Sequence, residues 1–206
     1  MPRTAPFEEH TAEYEQWFEE NEGAYRAELA ALRRLVPSAG DGLEIGVGSG
    51  RFAAPLGIGV GVDPSKKMLD IARDRGVEVV RGVAESLPFA AGAFDTALIV
   101  TTICFVDDIP RTVAEAARVL GPEGRFVIGY IDSESPVGER YRAEKAENPF
   151  YREATFVSTA ELVDALEAAG FTEFGFVQTI YDWPDEPERI EPGYGDGSFV
   201  GVRATR

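Results

Sequence analysis

The stretch Leu43–Ser65, "LEIGVGSGRFAAPLGIGVGVDPS", decides how the rest of the chain is read. It packs six glycines and two acids into 23 residues. An apolar run leads into Gly46, a glycine-rich turn follows, and a second apolar run ends in Asp63. A glycine-rich turn between a strand and a helix, with an acid closing the next strand, is how open α/β sheets hold nucleotide-type ligands. Here Gly46, Gly48 and Gly50 are spaced G-x-G-x-G, which departs from the G-x-G-x-x-G of dinucleotide folds. Asp63 stands where an acid reaches ribose hydroxyls.

Glu44 is the discordant element. At the end of the first strand it would face a pyrophosphate. At ~5 Å and an effective dielectric of ~20, two unit charges interact by about 3 kcal/mol. That interaction repels a pyrophosphate and attracts an ammonium or a sulfonium. A ligand with a ribose for Asp63 and a cationic head for Glu44 satisfies both acids, and S-adenosylmethionine (SAM) is such a ligand.

Working outward, residues 8–36 carry Tyr14, Trp17, Phe18, Tyr25, Leu29 and Leu32 at helical spacing, with Pro37 as a stop. The spacing predicts an amphipathic helix broken near Gly23. Beyond it, "GLEIG", "GIGVGVD", "VEVVRG", "AFDTALIV" and "GRFVIGYI" read as strands, interleaved with helices over Ser65–Arg75 and about Asp107–Leu120. Strands separated by helices of this length imply parallel βαβ units. A further helix runs from a serine cap at Ser158 to Ala169, before Gly170. "FTEFGFVQTI" and "GSFVGVRATR" form two last strands. The Pro- and Gly-rich join between them, "YDWPDEPERIEPGYGDG", needs no helix, so they are expected to be antiparallel neighbours. The expected fold is α/β: a doubly wound, seven-stranded, mostly parallel sheet with an antiparallel last strand, helices on both faces and an N-terminal helical cap. Residues 1–206 are expected to form one domain, with the cap over 1–37, a cofactor-binding core over 41–130 and an acceptor-side excursion over 132–157. That excursion is polar but bears Tyr141, Phe150, Tyr151 and Phe156.

The chain has 206 residues, 44% of them hydrophobic, enough for one well-buried core. Lys and Arg number 20 against 36 Asp and Glu, a formal net charge of −16, whose field repels nucleic acid and anionic membranes. Neither is an expected partner. Cys104 is the single cysteine, which rules out an internal disulfide, and no Cys/His cluster has zinc-site spacing; no metal is expected. No run of eighteen apolar residues occurs, and the first residues lack the apolar core of a signal peptide. A soluble, cytoplasmic protein is expected.

Four segments in order, "LEIGVGSGRF", "GVDPS", "GVAESLPFAAGAFD" and "ARVLGPEGRFVIG", cover roughly residues 41–130. In them the chain resembles the Rossmann-like class I SAM-dependent methyltransferases, in particular the small prokaryotic group similar to quinone-biosynthesis methyltransferases. The resemblance implies that Gly46, Gly48 and Gly50 allow close approach to SAM and that Glu44 lies near its amino acid end. It implies that Asp63, followed by Pro64, takes the ribose hydroxyls, that Ser65 and Met68 flank the adenine, and that Ala84 and Glu85 line its edge. Thr101 would contact the methionine part. Val83 departs from the family, which often has Asp or Asn there, so backbone groups of Ala84 would have to meet the adenine amine.

The activity implied is in-line transfer of a methyl group to a small-molecule acceptor, in which the protein mainly orients the reactants and excludes water. No protein nucleophile is needed. His10, Tyr14, Thr102, Tyr130 and Asp132 are candidates for acceptor contact, with His10, Tyr14 and Tyr130 the candidate catalytic groups. The family's Asn/Asp-Pro-Pro-Tyr signature is absent after the fourth strand, where "TTICF" stands, which argues against adenine-amino or glutamine-amide methylation. Two rival readings are an NAD(P)-dependent oxidoreductase, using the Tyr-x-x-x-Lys run Tyr141–Lys145, and a noncatalytic SAM-binding regulator.

Overall fold

The computed structural model describes residues 5–148, 150–181 and 189–206. Eight strands form one sheet: β1 (Gly42–Ile45), β2 (Val60–Asp63), β3 (Glu78–Arg81), β4 (Phe94–Val100), β5 (Leu120–Ile131), β6 (Thr172–Thr179), β7 (Glu191–Pro192) and β8 (Phe199–Thr205), in the order β3-β2-β1-β4-β5-β8-β6-β7. β1 to β5 pair in parallel. β8 runs antiparallel to both β5 and β6. Seven of these strands are the expected ones, and β6 and β8 are antiparallel neighbours as expected. The eighth, β7, is only two residues on the sheet's edge, too short to leave a period in the sequence. Part of the join before it, residues 182–188, lies outside the described residues.

The helices are α1 (Ala5–Glu9), α2 (Thr11–Glu20), α3 (Glu22–Arg33), α4 (Ala53–Leu56), α5 (Lys66–Asp74), α6 (Ile109–Val119), α7 (Pro136–Glu144) and α8 (Thr159–Ala168). The N-terminal helix breaks near Gly23 as expected, at Asn21, whose backbone leaves helical geometry between α2 and α3, and it also breaks at His10 between α1 and α2. α5 starts where expected because the Ser65 hydroxyl accepts from the Met68 amide. α8 starts at a reciprocal capping box between Ser158 and Glu161. α7 falls inside the excursion that reads as polar, since little of it besides Val137 and Gly138 is buried.

Alternation along the strands divides the core into two layers. Ala97, Ile99, Phe126 and Ile128 pack with α6 and α8 residues such as Val113, Ala116, Leu162 and Leu166. Leu98, Val100 and Val127 pack on the opposite face with Leu29, Leu32, Leu69 and Ala72 of α3 and α5. Strands buried on both faces read as continuous apolar runs, which is why "TALIV" shows no polar alternation. Strand order reverses between β1 and β4, so a crevice opens at their carboxyl ends.

Ion pairs fasten α2 over this crevice. The Glu15 carboxylate meets Arg51 at 2.7 Å and Arg75 at 2.5 Å, and Arg75 also donates to the Ser49 carbonyl at 2.6 Å. Desolvation alone would raise the Glu15 carboxyl, but the bonds from Arg75 and Arg51 outweigh it and hold its pKa below the usual value. Such charge-assisted bonds contribute about 2 kcal/mol. Glu15→Ala is expected to lower the thermal midpoint by roughly 6 °C at pH 7. Because the folded-state pKa is depressed, this contribution is complete above the unfolded carboxylate range and disappears as pH falls through the folded value. The wild-type and mutant midpoints should therefore converge in acid; a gap that persists there would show that Glu15 acts through packing.

Candidate functional site

The crevice is a cavity of about 540 Å³, a size usual for small-molecule sites. One end is lined by Gly46, Gly48, Asp63, Pro64, Met68 and residues 82–85, all from loops at the carboxyl ends of β1 to β3 or the start of α5. Gly46 and Gly50 both have positive φ, at 73° and 80°. A Cβ on Gly46 would fall 2.2 Å from Thr102 Cγ2, and one on Gly50 would lie 3.2 Å from the Ala72 backbone. Gly46 therefore admits the β4 loop, and Gly50 admits α5. Gly48 faces the cavity beside the Tyr14 hydroxyl.

Asp63 ties the two sides of the turn together. Its Oδ2 accepts from the Gly48 amide at 3.0 Å and its Oδ1 from the Ser65 amide at 2.8 Å. Burial pushes its pKa up to about 6, against the pull of the two amides, and the Glu8 charge adds to the rise. Each oxygen keeps lone-pair capacity for hydroxyl donors in the cavity.

Glu44 is 1% exposed and does not line the cavity. Burial drives its carboxyl well above the usual value, an amide bond from Ala53 opposes this, and the Asp63 charge adds to it. Its Oε2 has no partner among the described residues. Burial therefore disfavours the charged form of this acid.

The other expected residues divide clearly. Ala84, Glu85, Thr101 and Thr102 line the cavity, as do Val83, Tyr14 and Trp17. Thr101 has φ of 49°, an unusual value for a threonine, at the point where β4 enters the site. Met68 is both core and lining, 1% exposed with an edge on the cavity. Ser65 and Gly50 stand behind the lining, the first as a helix cap and the second as a packing contact. His10 is displaced to the rim, where its Nδ1 meets Glu13 and its ring lies 6.0 Å from Phe150. Tyr130 and Asp132 are kept out of the cavity. The Tyr130 hydroxyl bonds Thr159 Oγ1 at 2.6 Å, and that hydroxyl donates to Asp132 at 2.6 Å, in a buried chain under α8. The reason is parity: neighbouring strand residues face opposite sides, and Ile131 rather than Tyr130 faces the cavity.

The far end of the cavity is aromatic. Phe7 meets Phe105 at 5.1 Å and Phe150 at 5.6 Å, and Tyr141 stacks on Tyr151 at 4.9 Å. Glu28, Phe7, Phe105 and Asn148 were not singled out from the sequence. A signal for Glu28 exists: it falls on the stripe of α3 that buries Leu29 and Leu32 and half-buries Tyr25, where an apolar side chain is expected.

Residues 43–128 match the family model described as "Methyltransferase domain". A crystal structure from Thermotoga maritima, described as a SAM-dependent methyltransferase and possible histamine N-methyltransferase, superposes with a TM-score of 0.95 at 48% identity, covering 98% of this chain and 99% of that one. The chain belongs to the SAM-dependent methyltransferase family. An uncharacterized protein of Methanocaldococcus jannaschii is 42% identical over 202 residues, 97% of this chain and 98% of that protein. A methyltransferase of Mesorhizobium loti, at 20% identity and a TM-score of 0.65 over 87% of this chain and 98% of its own, shares the fold.

The methyltransferase is thus an enzyme with SAM as its cofactor, and the oxidoreductase and noncatalytic readings fall away. Lys145 of the rival Tyr-x-x-x-Lys run is bonded to the Ala154 carbonyl at 3.0 Å. The residues present suit SAM: a glycine cradle, an Asp63 carboxylate with free lone pairs, and the orphaned Glu44 oxygen next to the turn. Among the described residues no cluster is suited to a metal ion, and no helix is long and apolar enough to cross a membrane.

The Asp63 carboxyl titrates near 6 in the folded chain against 3.8 for the free group, so the folded state holds the extra proton between those values. Its stabilising effect is complete below the lower value and is lost as pH rises through the upper one, on the order of 2 kcal/mol after allowance for water in the cavity. Between pH 4 and pH 8 the ligand-free wild type should lose more stability than Asp63→Asn by that amount. Parallel pH profiles in urea titrations would contradict it.

Proposed function

We propose that this methyltransferase moves the methyl group of SAM to a small-molecule acceptor seated in the aromatic end of the cavity. The observation that carries the reading is one continuous cavity whose glycine- and acid-bearing end suits the cofactor and whose other end is closed by aromatic rings. SAM supplies a methyl carbon activated by a positively charged sulfur, open to a nucleophile approaching in line with that sulfur.

The chain's own residues position and shield. Asp63 takes the ribose hydroxyls, held rigid by the Gly48 and Ser65 amides. Glu44 answers the cationic amino acid end, and Met68, Val83 and Ala84 flank the adenine, with Glu85 and Pro64 shaping its edge. Thr101 borders the methionine part. The cap over 1–37 and the 132–157 segment supply the acceptor end, through Phe7, Tyr14 and Trp17 from the first and Tyr141, Phe150 and Tyr151 from the second. Rings closed over this end exclude water, which strengthens the electrostatics inside. Tyr14 remains a protonated phenol, since burial and the charges of Glu44, Asp63, Glu15 and Glu28 all raise its pKa. It therefore acts as a hydrogen-bond donor and an aromatic wall rather than as a base. The description of the Thermotoga relative as a possible histamine N-methyltransferase agrees with an acceptor of that size.

Asp63→Ala is expected to weaken SAM binding by about 1.5–3 kcal/mol, roughly 10- to 150-fold, through loss of charge-assisted bonds to the ribose. Calorimetry that finds wild-type affinity in the variant would remove Asp63 from the ribose. A tritiated-methyl screen against pooled metabolites should label a small molecule. Labelling only of protein or nucleic acid in a matched extract would overturn the acceptor class.

A further inference from the structure

Glu28 is the one buried cavity-lining acid to which the cofactor reading gives no task. It is 4% exposed, on the buried face of α3. Among the described residues it has no hydrogen bond or ion pair. The groups that feel its charge are phenols: Tyr14, Tyr25, Tyr141 and Tyr151. All four have pKa values raised by burial, so none is a cation or an anion at neutral pH. Arg140 also lines the cavity, but its guanidinium lies over the Tyr141 ring at 5.8 Å and does not offset the burial of Glu28. Glu13, the remaining acid at this end, is exposed at the rim and engages His10.

An acid on an apolar stripe costs stability unless it is paired. A leucine there would pack more favourably, so the carboxyl has value only with a partner that enters the cavity. The surroundings specify the partner's charge. A cation would gain the Glu28 charge and the rings of Tyr14, which lies within reach of that charge, and of Trp17 in the same cavity, whose faces attract positive charge.

We propose that Glu28 and the aromatic rings around it form a recognition site for a protonated amine carried by the methyl acceptor. This rests on the aromatic end being the acceptor site. Burial pushes the Glu28 carboxyl up to about 8, so at pH 7 the free site is mostly protonated. An ammonium entering it leaves the pair with one proton fewer than the separate partners carried. Binding therefore releases close to one proton to solvent.

The test uses the full chain saturated with S-adenosylhomocysteine, with 2-phenylethylamine and uncharged 2-phenylethanol as probes. Calorimetry at pH 7 in buffers of different ionisation enthalpy should show the amine binding at least about tenfold tighter than the alcohol, with release of close to one proton. Glu28→Gln should weaken the amine at least about tenfold, while the alcohol and S-adenosylhomocysteine keep their affinities. Equal binding of the two probes, no amine binding up to millimolar concentration, or an unchanged amine affinity in the variant would overturn the proposal. The probe comparison in the wild type stands even if the variant folds poorly. Failure of S-adenosylhomocysteine to bind the wild type would instead strike at the cofactor reading, so the two failures are distinguishable.

Discussion

The Asp63 carboxylate is where two loops of the sheet are joined. The Gly48 amide reaches it from the turn after β1 and the Ser65 amide from the cap of α5. The Gly48 bond would not form if the glycine turn could not bring its backbone this close, and α5 would start elsewhere without Ser65. The same two amides fix the carboxylate's direction before any ligand arrives. What the site can recognise therefore depends on a tie whose first task is to hold the fold.

The N-terminal helices are fastened to that tie from above by polar contacts. Glu8 accepts from the Lys66 amide at 2.7 Å, and the Lys67 ammonium reaches the Glu8 carbonyl at 2.6 Å. Glu15 bridges Arg51 and Arg75 beside the glycine turn. Both acids grip the same two loops that Asp63 joins. The cap is thus bonded to the glycine- and acid-bearing end of the cavity while its rings, Phe7 and Tyr14, reach toward the aromatic end.

The framework was legible because its signals are local. Gly46, Gly48 and Gly50 mark a turn, Asp63 ends an apolar run, and Ser65 and Ser158 announce the helices they cap. The continuous apolar run of β4 reports burial on both faces. The aromatic end was less legible because it depends on which face of an element meets which neighbour. Tyr130 and Ile131 are neighbours at the same strand end and face opposite sides, and which side is core and which is lining depends on where α8 docks. α7 has too little apolar surface to announce itself, and β7 exists only because β6 offers it an edge. Glu28 shows the opposite case: its anomaly was visible on the helical stripe, but an acid on an apolar stripe acquires meaning only once the cavity beside it is seen.

The placement of β8 has a consequence for how the sheet is assembled. This strand lies between β5 and β6, so Arg125 waits for Thr205 and Ile131 for Phe199. Pairings so distant along the chain carry a loop-closure cost before they return any stability, and they slow folding. Until β8 arrives, β6 has no route to the rest of the sheet, and the Arg125–Ile131 stretch of β5 presents an open edge of unpaired amides and carbonyls. The interval between completion of Ile131 and arrival of Phe199 is the period in which a nascent chain is most exposed to strand exchange with its neighbours.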